Sequence, residues 1–188
     1  NVWTLYTVCP PPVVLTRETA DLDNDGSLDA LKLTFNEAIQ DSSVVANDFD
    51  VSGVTGEAFS ATTNGDTADN TVIYLTFTDG THHSGVLPTL AYTQDSPTDA
   101  DVTSLVGGGT LANFSGAATT DGAKPVLLAA TASRASGAGF FDAAGESLDL
   151  VFSETLSGAP TEANLEAALT FAGGATDSDN LPSTGSGS

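Results

Sequence analysis

The residues best placed to do chemistry are the aspartates of Asp21-Leu22-Asp23-Asn24-Asp25-Gly26-Ser27-Leu28-Asp29. Carboxylates at loop positions one, three and five can converge on one cation. A glycine at position six permits the sharp turn that wraps the chain around it, and Ser27 can offer its backbone carbonyl at position seven. Asp29, at position nine, can bind directly or through water. Oxygen-only donors of this kind suit a hard divalent ion, so the sequence predicts Ca²⁺ at Asp21, Asp23, Asp25, Ser27 and Asp29. Position twelve is Lys32 rather than a bidentate Glu, and strand-like residues follow the loop. The expectation is therefore an isolated Ca²⁺ loop at the head of a strand.

Other candidates are less focused. Asp95, Asp99 and Asp101 flank Pro97 and read as a solvated loop before they read as a second cation site; Asp66 with Asp69 and Asp177 with Asp179 read the same way. His82 and His83 are adjacent, so in extended chain their rings diverge and do not chelate together. The chain contains no His-Glu-x-x-His, no Gly-x-Ser-x-Gly and no phosphate-binding glycine loop before a helix. The sequence thus points away from an enzyme. Leu181-Pro182-Ser183-Thr184-Gly185 has the form of a sortase signal, but only Ser-Gly-Ser follows, so a flexible linker is the simpler reading. Trp3, Tyr6, Phe140 and Phe141 are aromatic candidates for a sugar ring or another subunit, with core packing as the alternative.

Composition narrows the classes. The 188 residues carry 25 Asp+Glu against 4 Lys+Arg, a formal charge of −21. Phosphate backbones bind through Lys and Arg, so nucleic acid is excluded as a natural partner, and an anionic membrane surface is equally unfavourable. No run approaches the ~18 apolar residues of a membrane helix, so membrane insertion is not expected. One cysteine, Cys9, cannot form an internal disulfide. Thr, Val, Ser, Gly and Ala dominate, while Lys, Arg, Gln and Met are scarce, which favours strands over helices.

The elements that must position the loop follow from alternation. Leu31, Leu33 and Phe35 share one face of a strand, as do Ile73, Leu75 and Phe77 in Thr71–Phe77. Phe49–Val51 and Leu90–Thr93 are shorter strands. Asn64-Gly65, Asp79-Gly80, Gly107-Gly108-Gly109 and Asp121-Gly122 supply turns.

The chain also repeats itself. Pro12-Val13-Val14-Leu15 returns as Pro125-Val126-Leu127-Leu128. Leu31-x-Leu33-x-Phe35-x-Glu37-x-Ile39 returns as Leu148-x-Leu150-x-Phe152-x-Glu154-x-Leu156, and Phe49-x-Val51-x-Gly53 is echoed in Leu169-x-Phe171-x-Gly173. The second copy has no counterpart of Val72–Phe77, Leu90–Thr93 or Leu111–Phe114. The expected organisation is a strand tail over 1–10, a complete domain over 11–122, a partial repeat over 123–176 and a Ser/Gly/Pro tail over 177–188.

The opening Pro-Val-Val-Leu, the strand Leu31–Phe35 with Asn36-Glu37, and the closing Leu111-Ala112-Asn113-Phe114 before Thr120–Val126 resemble the Ig-like repeats of large bacterial surface proteins, including S-layer and adhesin-type arrays. The DxDxDG segment is similar to the first three-quarters of an EF-hand loop. The resemblance implies an all-β, antiparallel immunoglobulin-like β-sandwich, one complete domain plus a partial second repeat. It implies an extracellular or cell-surface structural module of a stalk, S-layer or filament, self-associating or touching neighbouring repeats. The alternatives are an adhesin-type module for glycan or another surface, and an accessory domain of an extracellular enzyme. The partial repeat should not stand alone: its missing strands either follow Ser188 or come from another chain. Val2, Trp3, Leu5, Tyr6 and Val8 mark the segment that could donate one.

Overall fold

A computed structural model describes residues 10–95, 100–133, 147–158 and 161. The expected strand over Val2–Val8, the echo Leu169–Gly173, Phe140-Phe141 and the Leu181–Gly185 motif lie outside the described residues. Regular structure among those described is β-strand and one-turn 3₁₀ segments. The chain divides into two compact units, Asn1–Lys124 and Pro125–Ser188; the sequence had suggested a division between 122 and 123.

The first unit contains β1 (Val14–Ala20), β2 (Ala30–Phe35), β3 (Phe49–Val51), β4 (Ala58–Phe59), β5 (Val72–Thr76), β6 (Thr89–Tyr92) and β7 (Phe114–Ala118). They form two antiparallel sheets, ordered β1-β2-β5-β4 and β3-β6-β7. In β2, Leu31, Leu33 and Phe35 are buried while Lys32 and Thr34 are half-exposed. Their partners on β5 are in register, Leu31 opposite Leu75 and Leu33 opposite Ile73. Phe77, just past β5, is buried too. These six side chains form the core face that alternation predicts. They join Phe49, Val51, Leu90 and Tyr92 of the other sheet in one buried cluster. Each such side chain contributes about 1.5–3 kcal/mol by leaving water.

Tyr92 stacks at 4.9 Å on Phe49 and 6.0 Å from Phe114. Its buried hydroxyl accepts the Val102 N–H at 2.9 Å, so the phenol is not left unsatisfied. The last strand starts later than the Leu111–Phe114 pattern suggests. Leu111 is buried in the preceding loop, its N–H donating to Val102 O at 2.8 Å, and Asn113 Oδ1 accepts the Gln94 N–H. These loop bonds hold the chain out of the ladder until Phe114. After β7 the chain runs parallel to β1. Thr19 N–H donates to Thr120 O and Thr120 N–H donates to Arg17 O, at 2.9 and 2.7 Å. Gly122 follows because a Cβ there would sit 2.7 Å from Thr19 O.

The second unit's described strands are β8 (Leu127–Ser133) and β9 (Ser147–Phe152), an antiparallel pair. Their register repeats that of β1 and β2 position by position. Val14 faces Phe35 as Leu127 faces Phe152, a shift follows in each first strand, and then Arg17 faces Leu33 as Ala130 faces Leu150. Even the closing clasp recurs. Val13 N–H donates to Asn36 Oδ1 at 2.7 Å, and Asn36 N–H returns to Val13 O at 3.0 Å. Val126 N–H donates to Ser153 Oγ at 2.8 Å, and Ser153 N–H returns to Val126 O at 2.9 Å.

Candidate metal centre

The aspartate loop is the connection between β1 and β2. Its base is closed where Asp29 N–H donates to Ala20 O at 3.2 Å, and fully buried Leu28 anchors it to the core. Asn24 and Gly26 take positive φ, 62° and 95°. Asn tolerates the left-handed region and glycine has no Cβ to clash there, so both residue choices serve the turn.

The carboxylates are held by the loop's own amides. Asp21 accepts from Gly26 N–H at 2.9 Å and Asp25 N–H at 3.2 Å; Asp25 accepts from Ser27 N–H at 2.8 Å. Both oxygens of Asp29 accept from Leu22 N–H at 3.1 Å. Asp21, Asp23 and Asp29 bring one oxygen each within 4.8 Å of one another. Asp25 belongs to a second, overlapping group with Asp23 and Asp79. The four expected aspartates are therefore split between two groups that share Asp23. Either group could hold a metal ion.

Asp79 is the residue that sequence reasoning missed. Asp79-Gly80 reads as a turn, and nothing local to it marks a ligand. It reaches the loop because the segment after β5 is stitched there by the backbone. Leu28 N–H donates to His82 O at 2.8 Å, Ser84 N–H donates to Gly26 O at 3.0 Å, and Ser27 sits opposite His83. In such a pair the flanking groups make the bonds, so Ser27's own carbonyl is left free of this ladder. His82 thus holds the loop by its backbone carbonyl, and its ring Nε2 bonds Ser52 O at 3.0 Å.

Desolvation, and behind it neighbouring negative charge, raises two of the acids. The Asp29 carboxyl is pushed above the ordinary value, first by partial burial and then by the charges of Asp23, Asp21 and Asp79. Asp23 is raised as well, by desolvation first and then by Asp25, Asp79 and Asp21.

Two further acidic groups lie in the first unit. Asp95 and Asp101 come together with buried Asp48, and Asp99 is outside the described residues. Asp41 is buried beside Asp69, whose Oδ1 accepts the Asp41 N–H at 3.0 Å. Its carboxyl is raised by burial, then by Asp69 and Asp66. A groove of about 480 Å³ runs beside the loop, bounded by Glu18, Asn24, Lys32, Asn64, Tyr74 and Lys124. No protein-family model, curated protein or solved structure matches this chain.

Proposed function

We infer that the chain is a tandem structural module of a secreted or cell-surface bacterial protein, built from immunoglobulin-like β-sandwiches and stabilised by Ca²⁺. The observation that carries this reading is the recurrence of one strand pair, with its register shift and clasp, in both units. Modules repeated along a chain serve length and presentation. The immunoglobulin-like assignment is supported by strand order. Lettered in sequence as A to G, the sheets of the first unit read ABED and CFG, the arrangement of a constant-type immunoglobulin domain. Ca²⁺ is supported by two overlapping carboxylate groups, Asp21, Asp23 and Asp29 and Asp23, Asp25 and Asp79, either of which offers the oxygen donors that a hard cation takes. We read the module as non-enzymatic, on the absence of catalytic motifs from its sequence.

The test is immunolabelling of the source cells with antibody raised against this chain. Intact cells are expected to label as strongly as permeabilised ones. Label seen only after permeabilisation overturns the surface assignment. A second reading, a glycan-binding module, is favoured by the polar groove that sets Tyr74 among Glu18, Lys32 and Asn64. In that case Tyr74→Ala abolishes binding on a glycan array while leaving the melting temperature nearly unchanged.

A further inference from the structure

The first sheet carries a polar row across three of its strands. Glu18 of β1 lies opposite Lys32 of β2, and Lys32 lies opposite Tyr74 of β5. Leu31 and Leu33 on either side of Lys32 turn into the core, so by alternation this row faces outward. All three side chains are half-buried, and all three line the groove beside the aspartate loop. Its volume of about 480 Å³ falls within the range of small-ligand sites, about 300–1,000 Å³. Sites for apolar molecules are lined mainly by hydrophobic side chains, and this one is polar. Asn24, from the aspartate loop, and Asn64, from the turn before β5, line it too, each in a tight turn with φ of 62° and 54°. Among the described residues, neither side-chain amide makes a hydrogen bond, and neither does the Tyr74 hydroxyl.

Charge selects the ligand. The chain has 4 Lys+Arg, and both of its lysines, Lys32 and Lys124, line this groove. Lys124 is brought there by the segment after β7, where Gly122 N–H donates to Thr19 Oγ1 at 3.1 Å. The acids of the groove are already engaged. Glu18 pairs with Lys32 at 3.4 Å, and Asp21 accepts from the amides of Asp25 and Gly26. Lys124 makes no ion pair among the described residues, so its ammonium is the charge left for a ligand. At physiological ionic strength screening confines a charge's field to about 8 Å, so the groove's own groups decide what binds, ahead of the net charge of −21. We propose that this groove binds a glycan that bears carboxylates, a chain containing uronic or comparable acidic sugars. This names the ligand class for the glycan-binding reading above and rests on that reading. A sugar ring lies against Tyr74, whose aromatic body offers apolar surface and whose hydroxyl offers a hydrogen bond. Asn24 and Asn64 each present an acceptor and two donors, which suits hydroxyls that both donate and accept. The sugar carboxylate takes Lys124. An acidic peptide would also meet Lys124, but β2 and β5 are paired on both edges and offer no free ladder to an extended chain.

Isothermal titration of the full chain, at saturating Ca²⁺ and about 0.15 M salt, tests this. The probes are an oligosaccharide containing glucuronic acid, the same oligosaccharide with its carboxylates reduced to alcohols, and polyglutamate. The acidic oligosaccharide is expected to bind about five-fold more tightly than its reduced form, the worth of one exposed ion pair. Lys124→Gln should remove that preference, and Tyr74→Ala should lower the affinity for both sugars. Equal binding of the two sugars overturns the carboxylate inference and leaves the glycan reading standing, whereas binding of neither overturns both. A preference that survives Lys124→Gln overturns the assignment of the carboxylate to that lysine. Polyglutamate bound as tightly as the acidic sugar overturns the proposal in favour of an acidic peptide.

Discussion

The β1–β2 and β8–β9 pairs are one local structure in two environments. They share a register, a shift in the first strand and a side-chain clasp onto the incoming backbone. They differ in burial. The apolar face of β2 is at 0–2% exposure, whereas β8 is exposed along its whole length and β9 is at most half-buried. The difference teaches that alternation and clasp residues can specify the same strand pair with a covering sheet, as in the first unit, and, among the described residues, without one. A two-stranded ribbon is marginal in water until a third strand or a second layer covers it.

The largest test of that contrast removes the same side chain from both pairs. Leu33→Ala should cost about 3 kcal/mol of unfolding free energy in a urea titration, because Leu33 is enclosed by both sheets. Leu150→Ala, its counterpart, should cost less than about 1 kcal/mol in the dilute chain. Equal losses would break the contrast.

Ca²⁺ should sharpen the contrast next, since the Asp-x-Asp-x-Asp-Gly sequence joins β1 to β2 while Ser136–Asp142 takes its place in the second repeat. At free Ca²⁺ about 100-fold above its dissociation constant, the first unit should gain about 2.7 kcal/mol. EDTA should remove that gain, and Asp29→Asn should abolish it. Asp79→Asn should weaken binding too if Asp79 completes the site. Calorimetry with and without EDTA reads all three.

The clasps are smaller. Asn36→Ala and Ser153→Ala each remove one acceptor for a backbone N–H, and each should cost about 1 kcal/mol or less in its own unit. The smallest effect is one of pH. Asp41 is buried in the first unit, and Gly158 stands in its place in the second. Its folded-state pKa is raised, so the folded chain holds this proton more tightly than the unfolded chain. The sign follows: its contribution is present at low pH and is lost as pH rises through the raised value. In EDTA, Asp41→Asn should flatten the acid side of the stability profile, where this carboxyl titrates.

Much of this was legible in sequence where the signal is local and periodic. Leu31–Phe35 and Val72–Phe77 alternate strictly because each faces a core on one side only, and the aspartate ladder is confined to nine consecutive residues. The repeat was legible because the same apolar positions recur in the same order. What escaped depends on long-range pairing. β4 is two residues long, too short to show a period. Asp79 joins the loop only because Gly26 and Leu28 pair with Ser84 and His82 across the fold. The start of β7 at Phe114 is set by loop hydrogen bonds that no propensity encodes.

Amide hydrogen exchange on the dilute, Ca²⁺-saturated chain tests the central claim most directly, since it reads β2 and β9 side by side in one sample. A covered pair exchanges only through near-global opening, whereas an uncovered one opens locally. The account predicts that Leu31, Leu33 and Phe35 exchange orders of magnitude more slowly than Leu148, Leu150 and Phe152. Equal protection of the two strands at dilution would contradict it.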